Sequence, residues 1–383
     1  MTKKVLMLAA KANMIQQFNH RNIKILQELG YEVHVATNMI DFGSMSSIEN
    51  ERFKNWMTQN NVISHQIDFE RRMGSFKGNI RSLKQLTKLF KQHDFSFVHV
   101  HSPLGGILGR LVAKQFNVPA IYTAHGFHFF KGGPKSGWLV FFPLEWIFSF
   151  ITHTIITINE EDYLVANNHM HARHLVQING NGVDVEKAWA ISEKYKKDVR
   201  RKIRSELDIP DDAFLILSVG ELSERKNHQV VLDAIGRIEP KIRNSIYYII
   251  AGTGSLDKIL LGKAKAIGFS DHFKLLGYRN DIHELNYASD LFVFPSLREG
   301  LGIAGLEATI DGLSILGTEI GGVSDYLKDG INGELFEPTN SDILANKILK
   351  NIKNPFKTQK FNFLEAFDQK IVDKIIEDVY KQF

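Results

Sequence analysis

Short apolar runs alternate with segments of helical periodicity along most of the 383-residue chain, and this alternation limits the folds open to it. Strands that alternate with helices form parallel sheets covered by helices on both faces. The predicted strands of the first half are KKVLMLAA, YEVHVATN, NVISHQIDF, FSFVHVHS, PAIYTAH, THTIITIN and HLVQIN. After a charged segment without strand character, residues 192–208, the alternation restarts with FLILSVGEL, IYYIIAG, HFKLLG, DLFVFPS, LSILGT and GELFE. The sequence therefore predicts an α/β protein with two doubly wound domains.

The restart of the alternation also predicts the domain boundaries. We expect an N-terminal Rossmann-like domain over residues 1–190, a second one over residues 191–365, and a C-terminal helix over residues 366–383. One option for this helix is packing back on the N-terminal domain. Its apolar stripe consists of Phe363, Phe367, Ile371, Ile375 and Val379. Ligands of open α/β sheets bind outside the carboxyl ends of the strands, so we expect the two domains to face each other across a ligand-binding cleft.

Composition excludes several classes of protein. The chain has no cysteine, which removes disulfides, thiolate zinc ligands and cysteine nucleophiles. A net charge of +4 over this length does not indicate nucleic-acid binding. The apolar run over residues 138–158 has the length of a transmembrane helix. Because Pro143, Glu145 and His153 interrupt it, and because its second half is typical of a strand, we expect no membrane span.

Two glutamates flank a glycine-rich turn in the stretch PSLREGLGIAGLEA, residues 295–308. Glycines let the backbone turn at the end of the preceding strand, and we expect a helix to begin near Leu301. The first amides of that helix can bind a phosphate. Glu299 before the helix and Glu307 about two turns into it can each accept paired hydroxyls of a sugar. Taken alone, the pattern also fits two surface glutamates in any α/β fold.

A second segment, SVGELSERKNH at residues 218–228, strengthens the functional interpretation. Arg225 and Lys226 follow the first strand of the second half, at the same end of the predicted sheet as Glu299. An adjacent arginine and lysine can hold a diphosphate, the arginine as a fork and the lysine as a point charge. The alternative is a solvated charged loop, but two matched features at one sheet edge are less frequent by chance.

With these motifs the chain resembles the retaining glycosyltransferases of the two-Rossmann-domain (GT-B) type, in the family 4-like group that includes bacterial capsule and exopolysaccharide sugar transferases. EGLGIAGLE and GELSERKN match the paired-glutamate and Arg/Lys phosphate motifs of that family. NGNGVD, LLGYRNDI and YTAHGFHFF match its interdomain segment, its base-facing loop and its N-terminal His-Gly segment. The resemblance covers nearly the whole chain. It departs from the family after the first strand, where AAKANMIQQF contains no glycine-rich loop.

The resemblance implies a role for each matched residue. Glu307 would hold the ribose hydroxyls of the sugar nucleotide, and Glu299 would contact the donor sugar near its 3- and 4-hydroxyls. Arg225 and Lys226 would neutralise the diphosphate, and His125 would lie near the transferred sugar. The other donor-binding residues that the resemblance implies are Gly220, Arg279, Gly302 and Ile303, the last two through backbone amides.

The implied function is a retaining glycosyltransferase, specifically a hexosyl- or N-acetylhexosaminyltransferase, that uses a nucleotide-sugar donor, with UDP as the family default. No Asp-x-Asp motif occurs in the sequence, so we expect a metal-independent reaction without a cofactor. A zinc site among His99, His101, His125 and His128 is disfavoured, because no matching Asp, Glu or Cys spacing supports it. Two other functions stay open: a non-hydrolysing UDP-sugar epimerase, and a catalytically inactive nucleotide-sugar-binding subunit of a partner transferase.

Two basic and aromatic segments of the first half concern the acceptor. Residues 71–91 carry seven basic and no acidic residues, and residues 126–148 are aromatic and basic. Such surfaces suit an anionic membrane, and the alternative is a solvated basic helix beside a buried aromatic one. The acceptor is a lipid-linked or a free glycan, and if the membrane interpretation holds we expect one linked to a polyprenyl diphosphate, in capsule or exopolysaccharide synthesis. We expect the enzyme in the cytoplasm and, on the membrane interpretation, at the inner face of the cell membrane.

Overall fold

The computed structural model describes residues 2–71, 73–130, 133, 135–355 and 360–383. The chain forms two compact units. The first runs up to Asn181 and also takes in Lys370–Phe383, and the second covers Gly182–Gln369. Each unit is built on its own parallel sheet.

The first unit contains a seven-stranded sheet in the order β3-β2-β1-β4-β5-β6-β7. Its strands are β1 (Lys4–Lys11), β2 (Glu32–Asn38), β3 (Ile63–Gln66), β4 (Phe95–His101), β5 (Ala120–Ala124), β6 (Thr154–Thr157) and β7 (His174–Gln177). Its helices are α1 (Ala12–Phe18), α2 (His20–Glu28), α3 (Ser47–Gln59), α4 (Phe76–Gln92), α5 (Pro103–Gln115), α6 (Phe142–Ser149), which continues a π-helical turn (Gly137–Phe141), and α7 (Glu160–His169).

The second unit contains a six-stranded sheet in the order β10-β9-β8-β11-β12-β13. Its strands are β8 (Phe214–Val219), β9 (Ile246–Ala251), β10 (Phe273–Leu275), β11 (Leu291–Phe294), β12 (Ile315–Thr318) and β13 (Glu334–Phe336). Its helices are α8 (Val185–Ala190), α9 (Glu193–Glu206), α10 (Gln229–Arg237), α11 (Pro240–Arg243), α12 (Asp257–Ala266), α13 (Ile282–Ala288), α14 (Ile303–Asp311), α15 (Val323–Tyr326) and α16 (Ser341–Lys353), with 3-10 turns at Glu224–Lys226, Ser270–His272 and Asn362–Phe367. Helix α17 (Gln369–Tyr380) follows and belongs almost entirely to the first unit.

Continuous apolar strands explain why the sheets form as predicted. Successive side chains of a strand point to opposite faces of the sheet. In β1, Val5 and Met7 pack into one hydrophobic cluster, while Leu6 and Leu8 pack into a second one. Both faces of each sheet are therefore covered, as parallel sheets require. Every strand expected from the sequence is present, and the predicted α/β class with two doubly wound domains is confirmed.

The long apolar run over residues 138–158 divides into the end of the π-helical turn, helix α6 and strand β6. Its one charged residue, Glu145, is buried and forms an ion pair with Arg110, whose Nη2 lies 2.9 Å from Glu145 Oε2. Tyr122 donates its hydroxyl to Glu145 Oε1 at 2.8 Å. None of the helices in the described part of the chain combines the length and the hydropathy that spanning a membrane requires.

The predicted apolar stripe of the C-terminal helix is wrong in part. Phe363 and Ile371 are exposed, and the helix begins at Gln369. The 3-10 turn before it has about three residues per turn, so counting from Phe363 with α-helical spacing places Ile371 on the wrong face, although Phe367 and Val379 are buried as predicted. The side chains that α17 buries, all within the first unit, are Val372, Ile376, Val379 and Tyr380.

We expect Arg110→Met to lower the free energy of unfolding of the first unit by about 3 kcal/mol, because it leaves the Glu145 carboxylate buried without its cation. Urea denaturation followed by circular dichroism measures this change. Lys114→Met, an exposed position on the same helix, is the matched control and should change the stability by less than about 0.5 kcal/mol. Equal stability of the two variants would show that the buried pair is not needed.

Candidate functional site

The glycine-rich turn after β11 places the start of helix α14. Gly302 is the residue before the helix and has a left-handed backbone, with φ of 86°. A Cβ added there would lie 2.7 Å from Phe294 Cε1, so only glycine fits without a shift. The helix therefore begins at Ile303, two residues after the predicted start at Leu301. As a correction, Glu307 lies about one turn into α14 rather than two.

Arg225, Lys226 and Glu299 meet in the second unit. Lys226 Nζ lies 2.6 Å from Glu299 Oε1, and Arg225 Nη1 lies 3.1 Å from the same oxygen. Arg225 also donates to the carbonyl of Arg298 at 3.1 Å, and the amide of Leu297 donates to the carbonyl of Arg225 at 2.8 Å. Two cations thus share one carboxylate beside the turn that leads into α14. We call these three residues the cationic cluster.

Lys226 is held by its surroundings. Gly220 has φ of 153°, and a Cβ added to it would come within 3.0 Å of Lys226 Cε. On another side, the ammonium group lies 5.0 Å from the centroid of the Phe294 ring, at cation–π distance. Only 13% of the Lys226 side chain is exposed, against 46% for Arg225. The lysine is therefore the more buried charge of the cluster and the arginine is its more exposed partner.

Glu307 is half-buried on α14 and forms no hydrogen bond or ion pair with another residue of the described ranges. Burial raises the pKa of Glu307, nearby His283 lowers it, and Asp311 raises it further. His283 itself is bound to Asp311, with Nδ1 2.8 Å from Oδ2, and this hydrogen bond raises the pKa of His283. The Glu307 carboxylate is thus an acceptor that the protein leaves unused.

Two other predicted site residues have partners that are not members of the cationic cluster. Arg279 follows β10, and its guanidinium donates two hydrogen bonds to the Asp281 carboxylate, one of them from Nε to Oδ1 at 2.8 Å. This pairing lowers the pKa of Asp281. His125 is in the first unit, directly after β5.

His125 is the outermost member of a row of histidines at the carboxyl ends of β4 and β5. Its Nε2 lies 3.1 Å from His101 Nδ1, and its ring centroid lies 5.4 Å from that of Phe18. Further inside, His99 contacts the Tyr380 hydroxyl of α17 through Nδ1 at 2.8 Å. Burial lowers the pKa of His125 to about 4, so its imidazole is neutral at pH 7.

Sequence reasoning missed Asn227, which joins the two turns of the site. Its backbone is left-handed, with φ of 53°, and it ends the 3-10 turn that carries Arg225 and Lys226. Its side-chain amide donates to the carbonyl of Pro295 at 3.2 Å and to that of Pro338 at 2.8 Å. The one indication in the sequence is that this residue is an asparagine, because asparagine adopts the left-handed backbone region more readily than most residues.

His228 was also missed. It is 2% exposed and begins the turn into α10, two residues after Lys226. Burial and, to a smaller extent, the charge of Lys226 lower the pKa of His228 to about 4. The neutral imidazole of His228 therefore adds no positive charge near the cationic cluster. No periodic or motif signal in the sequence marks this position.

The chain matches known families and proteins along its length. Residues 199–365 match the family Glycosyl transferases group 1, and residues 16–187 match Glycosyltransferase Family 4. The chain is 31% identical over 353 residues to the putative glycosyltransferase EpsD of Bacillus subtilis, an alignment that covers 91% of this chain and 87% of EpsD. It is 32% identical over 318 residues to the UDP-Gal:alpha-D-GlcNAc-diphosphoundecaprenol alpha-1,3-galactosyltransferase of Escherichia coli, with coverage of 79% and 80%.

Solved structures show the same fold at low sequence identity. Anabaena HepE in complex with UDP and glucose has a TM-score of 0.76 at 19% identity, over the whole of both chains. The sucrose-phosphate synthase of Thermosynechococcus elongatus has a TM-score of 0.77 at 16% identity, over 99% of this chain and 98% of the other. These likenesses confirm the predicted GT-B fold class.

We expect Asn227→Ala to destabilise the second unit by about 2 kcal/mol, because it removes two hydrogen bonds and forces alanine into the left-handed region. Thermal unfolding measures the change. Asn227→Gly restores the backbone freedom but not the hydrogen bonds, so its loss should be smaller. The exposed Asn244→Ala is the control and should behave as the wild type. If Asn227→Ala matches that control, the two turns do not depend on Asn227.

Proposed function

The chain belongs to the family 4-like glycosyltransferases, and on this premise we propose that it moves a hexosyl or N-acetylhexosaminyl group from a UDP-sugar to a glycan acceptor. The observation that carries the proposal is the cationic cluster beside the start of α14. Lys226, Arg225 and unpaired helical amides together form a site for a diphosphate. The E. coli relative, by its name, uses UDP-Gal, which supports UDP as the nucleotide of the sugar donor.

The chemistry follows from the charge that develops during transfer. Breaking a glycosyl–phosphate bond builds negative charge on the departing nucleoside diphosphate. Lys226 and Arg225 would neutralise that charge, and the backbone amides of Gly302 and Ile303 would add fixed dipoles. We propose that no divalent metal takes part, because these groups meet the same need and because the sequence contains no Asp-x-Asp motif.

The contact between Glu299 and the two cations suggests how the donor binds. A diphosphate carries more negative charge than one carboxylate, so it would displace Glu299 from Lys226 and Arg225. The freed carboxylate could then accept hydroxyl protons of the donor sugar, as the family resemblance implies. In this proposal the diphosphate replaces Glu299 as the partner of Lys226 and Arg225. The same replacement frees Glu299 to bind the sugar.

The remaining residues have proposed roles that agree with their surroundings. The unpaired carboxylate of Glu307 would bind the ribose hydroxyls, and Gly220 would leave room for the Lys226 stem. Arg279, held by Asp281, would face the base. The neutral imidazole of His125 would contact the transferred sugar without adding a charge. Retention of the anomeric configuration is proposed on the family resemblance alone.

The acceptor is proposed to be a glycan linked to a polyprenyl diphosphate, in capsule or exopolysaccharide synthesis. The E. coli relative is named for a GlcNAc-diphosphoundecaprenol acceptor. Of the other functions suggested by the sequence, no observation favours the epimerase. An inactive binding subunit would differ from the transferase by the lack of acceptor-dependent UDP release.

Peripheral contact with an anionic membrane is proposed from helix α4. Its exposed basic residues, at helical spacing along one face, are Lys77, Arg81, Lys84, Lys88 and Lys91. Phe76 at the start of the helix is 82% exposed, so a large apolar side chain accompanies the basic row. In residues 71–91 and 126–148, Arg72, Lys131, Gly132 and Pro134 lie outside the described residues. A basic row with an exposed aromatic residue suits anionic headgroups at the cytoplasmic face.

We expect Arg225→Ala and Lys226→Ala each to lower turnover by about ten- to hundredfold, because each removes a charge-assisted contact to the leaving group. Release of UDP is measured with UDP-sugar donors and undecaprenyl-diphosphate-linked GlcNAc. Lys241→Ala, an exposed lysine of the same unit, is the matched control and should keep wild-type turnover. Near-normal turnover of both site variants would refute the leaving-group assignment.

We expect the protein to float with phosphatidylglycerol vesicles at low salt and to stay in the aqueous fraction at high salt, because the attraction is electrostatic. Replacing Lys84 and Lys88 together by Glu should abolish flotation. The matched control replaces Lys241 and Lys258, two exposed lysines of the second unit, in the same way. Wild-type protein that fails to float at low salt would argue against the membrane proposal.

A further inference from the structure

Three histidines from separate segments meet in the first unit. His34 is the third residue of β2, His65 is the third residue of β3, and His93 lies two residues before β4. One ring nitrogen of each lies within 4.8 Å of those of the other two. The ring centroids of His34 and His93 are 4.6 Å apart, and those of His65 and His93 are 5.6 Å apart. We call these three residues the histidine cluster.

The strand pairing of the sheet creates the cluster. β2 and β3 are parallel neighbours, and the register places His34 opposite Ile63 and Ala36 opposite His65. The two imidazoles therefore stand two residues apart on adjacent strands, and their rings stack with an angle of 6° between the planes. This place is near the amino ends of β2 and β4, whereas His125 follows the carboxyl end of β5. The cluster is thus at the other end of the sheet from His125, the first-unit residue proposed for sugar transfer.

A carboxylate orients the buried member of the cluster. Glu32 Oε1 lies 2.9 Å from His34 Nε2, so this nitrogen donates its hydrogen to the carboxylate. Nδ1 of the same ring then carries the lone pair, and it faces His65 Nε2 at 2.8 Å. A carboxylate that binds the far nitrogen of an imidazole is the usual support for a metal-binding histidine, because it fixes the tautomer and the ring orientation.

The other two histidines also suit a cation. His65 presents its Nε2 to the space that His34 Nδ1 also faces. His93 Nδ1 is buried and has no hydrogen-bond partner in the described ranges, although buried nitrogens in proteins nearly always have one. Lys4 Nζ is 3.4 Å from Glu32 Oε1, so this lysine pairs with the orienting carboxylate.

We propose that the histidine cluster binds a divalent transition-metal ion of the zinc or nickel class. The ligands are His34 Nδ1, His65 Nε2 and one nitrogen of His93, and water completes the coordination. Imidazole ligands select zinc, copper, iron and nickel over magnesium and calcium. On binding, the hydrogen of His65 Nε2 moves to Nδ1 of the same ring, so the exchange releases no net proton.

The expected geometry needs only small movements. Zinc–nitrogen distances of about 2.0–2.1 Å place tetrahedral nitrogens about 3.3 Å apart. The nitrogens of His34 and His65 are slightly closer than this at 2.8 Å, and the largest separation in the cluster is below 4.8 Å. The ion would tie β2, β3 and the turn before β4 together. Its role is structural, and the transfer reaction remains independent of it.

The test uses the full chain without a polyhistidine tag, stripped of metal with a chelator. Zinc binding is measured by competition with a chromophoric chelator, and we expect one tight equivalent per chain. His65→Ala and His93→Ala should each weaken zinc binding at least tenfold, with circular dichroism to confirm folding. His174→Ala, an exposed histidine on β7 of the same sheet, is the matched control and should bind as the wild type.

Cobalt substitution of the wild-type protein tests the site without any variant. Bound Co²⁺ in a nitrogen-rich four-coordinate site gives intense visible absorption, which we expect at one equivalent. A wild-type protein with neither stoichiometric zinc binding nor this absorption would overturn the proposal. Binding that survives both His65→Ala and His93→Ala would overturn it as well, because the metal would then lie elsewhere.

Discussion

The pairing of β8 with β11 as parallel neighbours is the constraint on which the candidate site depends. Both strands end at the same edge of the sheet, so the turns that follow them must meet there. This is how Lys226 comes within 2.6 Å of Glu299, although 73 residues separate them in sequence. Asn227 then joins the two turns through the carbonyl of Pro295. The strand order positions the charges, and the asparagine holds the backbone that carries them.

Much of this arrangement could be predicted from the sequence, because parallel strands buried on both faces are continuous apolar runs bounded by polar turns. The location of every strand followed from these runs. The meeting of Arg225 and Lys226 with Glu299 followed from one further rule, that strand ends of a parallel sheet share an edge. The start of α14 was two residues off, because the left-handed backbone of Gly302 extends the turn. Helix boundaries depend on such local dihedral angles, which a periodic pattern does not contain.

Other features depend on contacts between distant segments, and no pattern in the sequence predicts them. The burial of Glu145 is understandable only beside Arg110, which lies on another helix. The histidine cluster requires the register between β2 and β3 as well as the position of the turn before β4. The stripe counted along the C-terminal segment is wrong in part, because a 3-10 turn and the extended backbone of Asp368 precede the helix. In each case the missing information is three-dimensional: the partner of a buried charge, the register between two strands, or the phase of a helix.

Helix α17 closes the core of a unit whose other strands and helices lie before residue 182. Val372 and Ile376 fill the same hydrophobic cluster as Val5 and Met7, and the Tyr380 hydroxyl reaches His99. During synthesis, the first unit therefore lacks helix α17 until the ribosome has made the whole second unit. During that interval the apolar surface that α17 covers is open to solvent or to chaperones. The second unit, made from one uninterrupted stretch of chain, has no such delay, so the order of folding need not follow the order of synthesis.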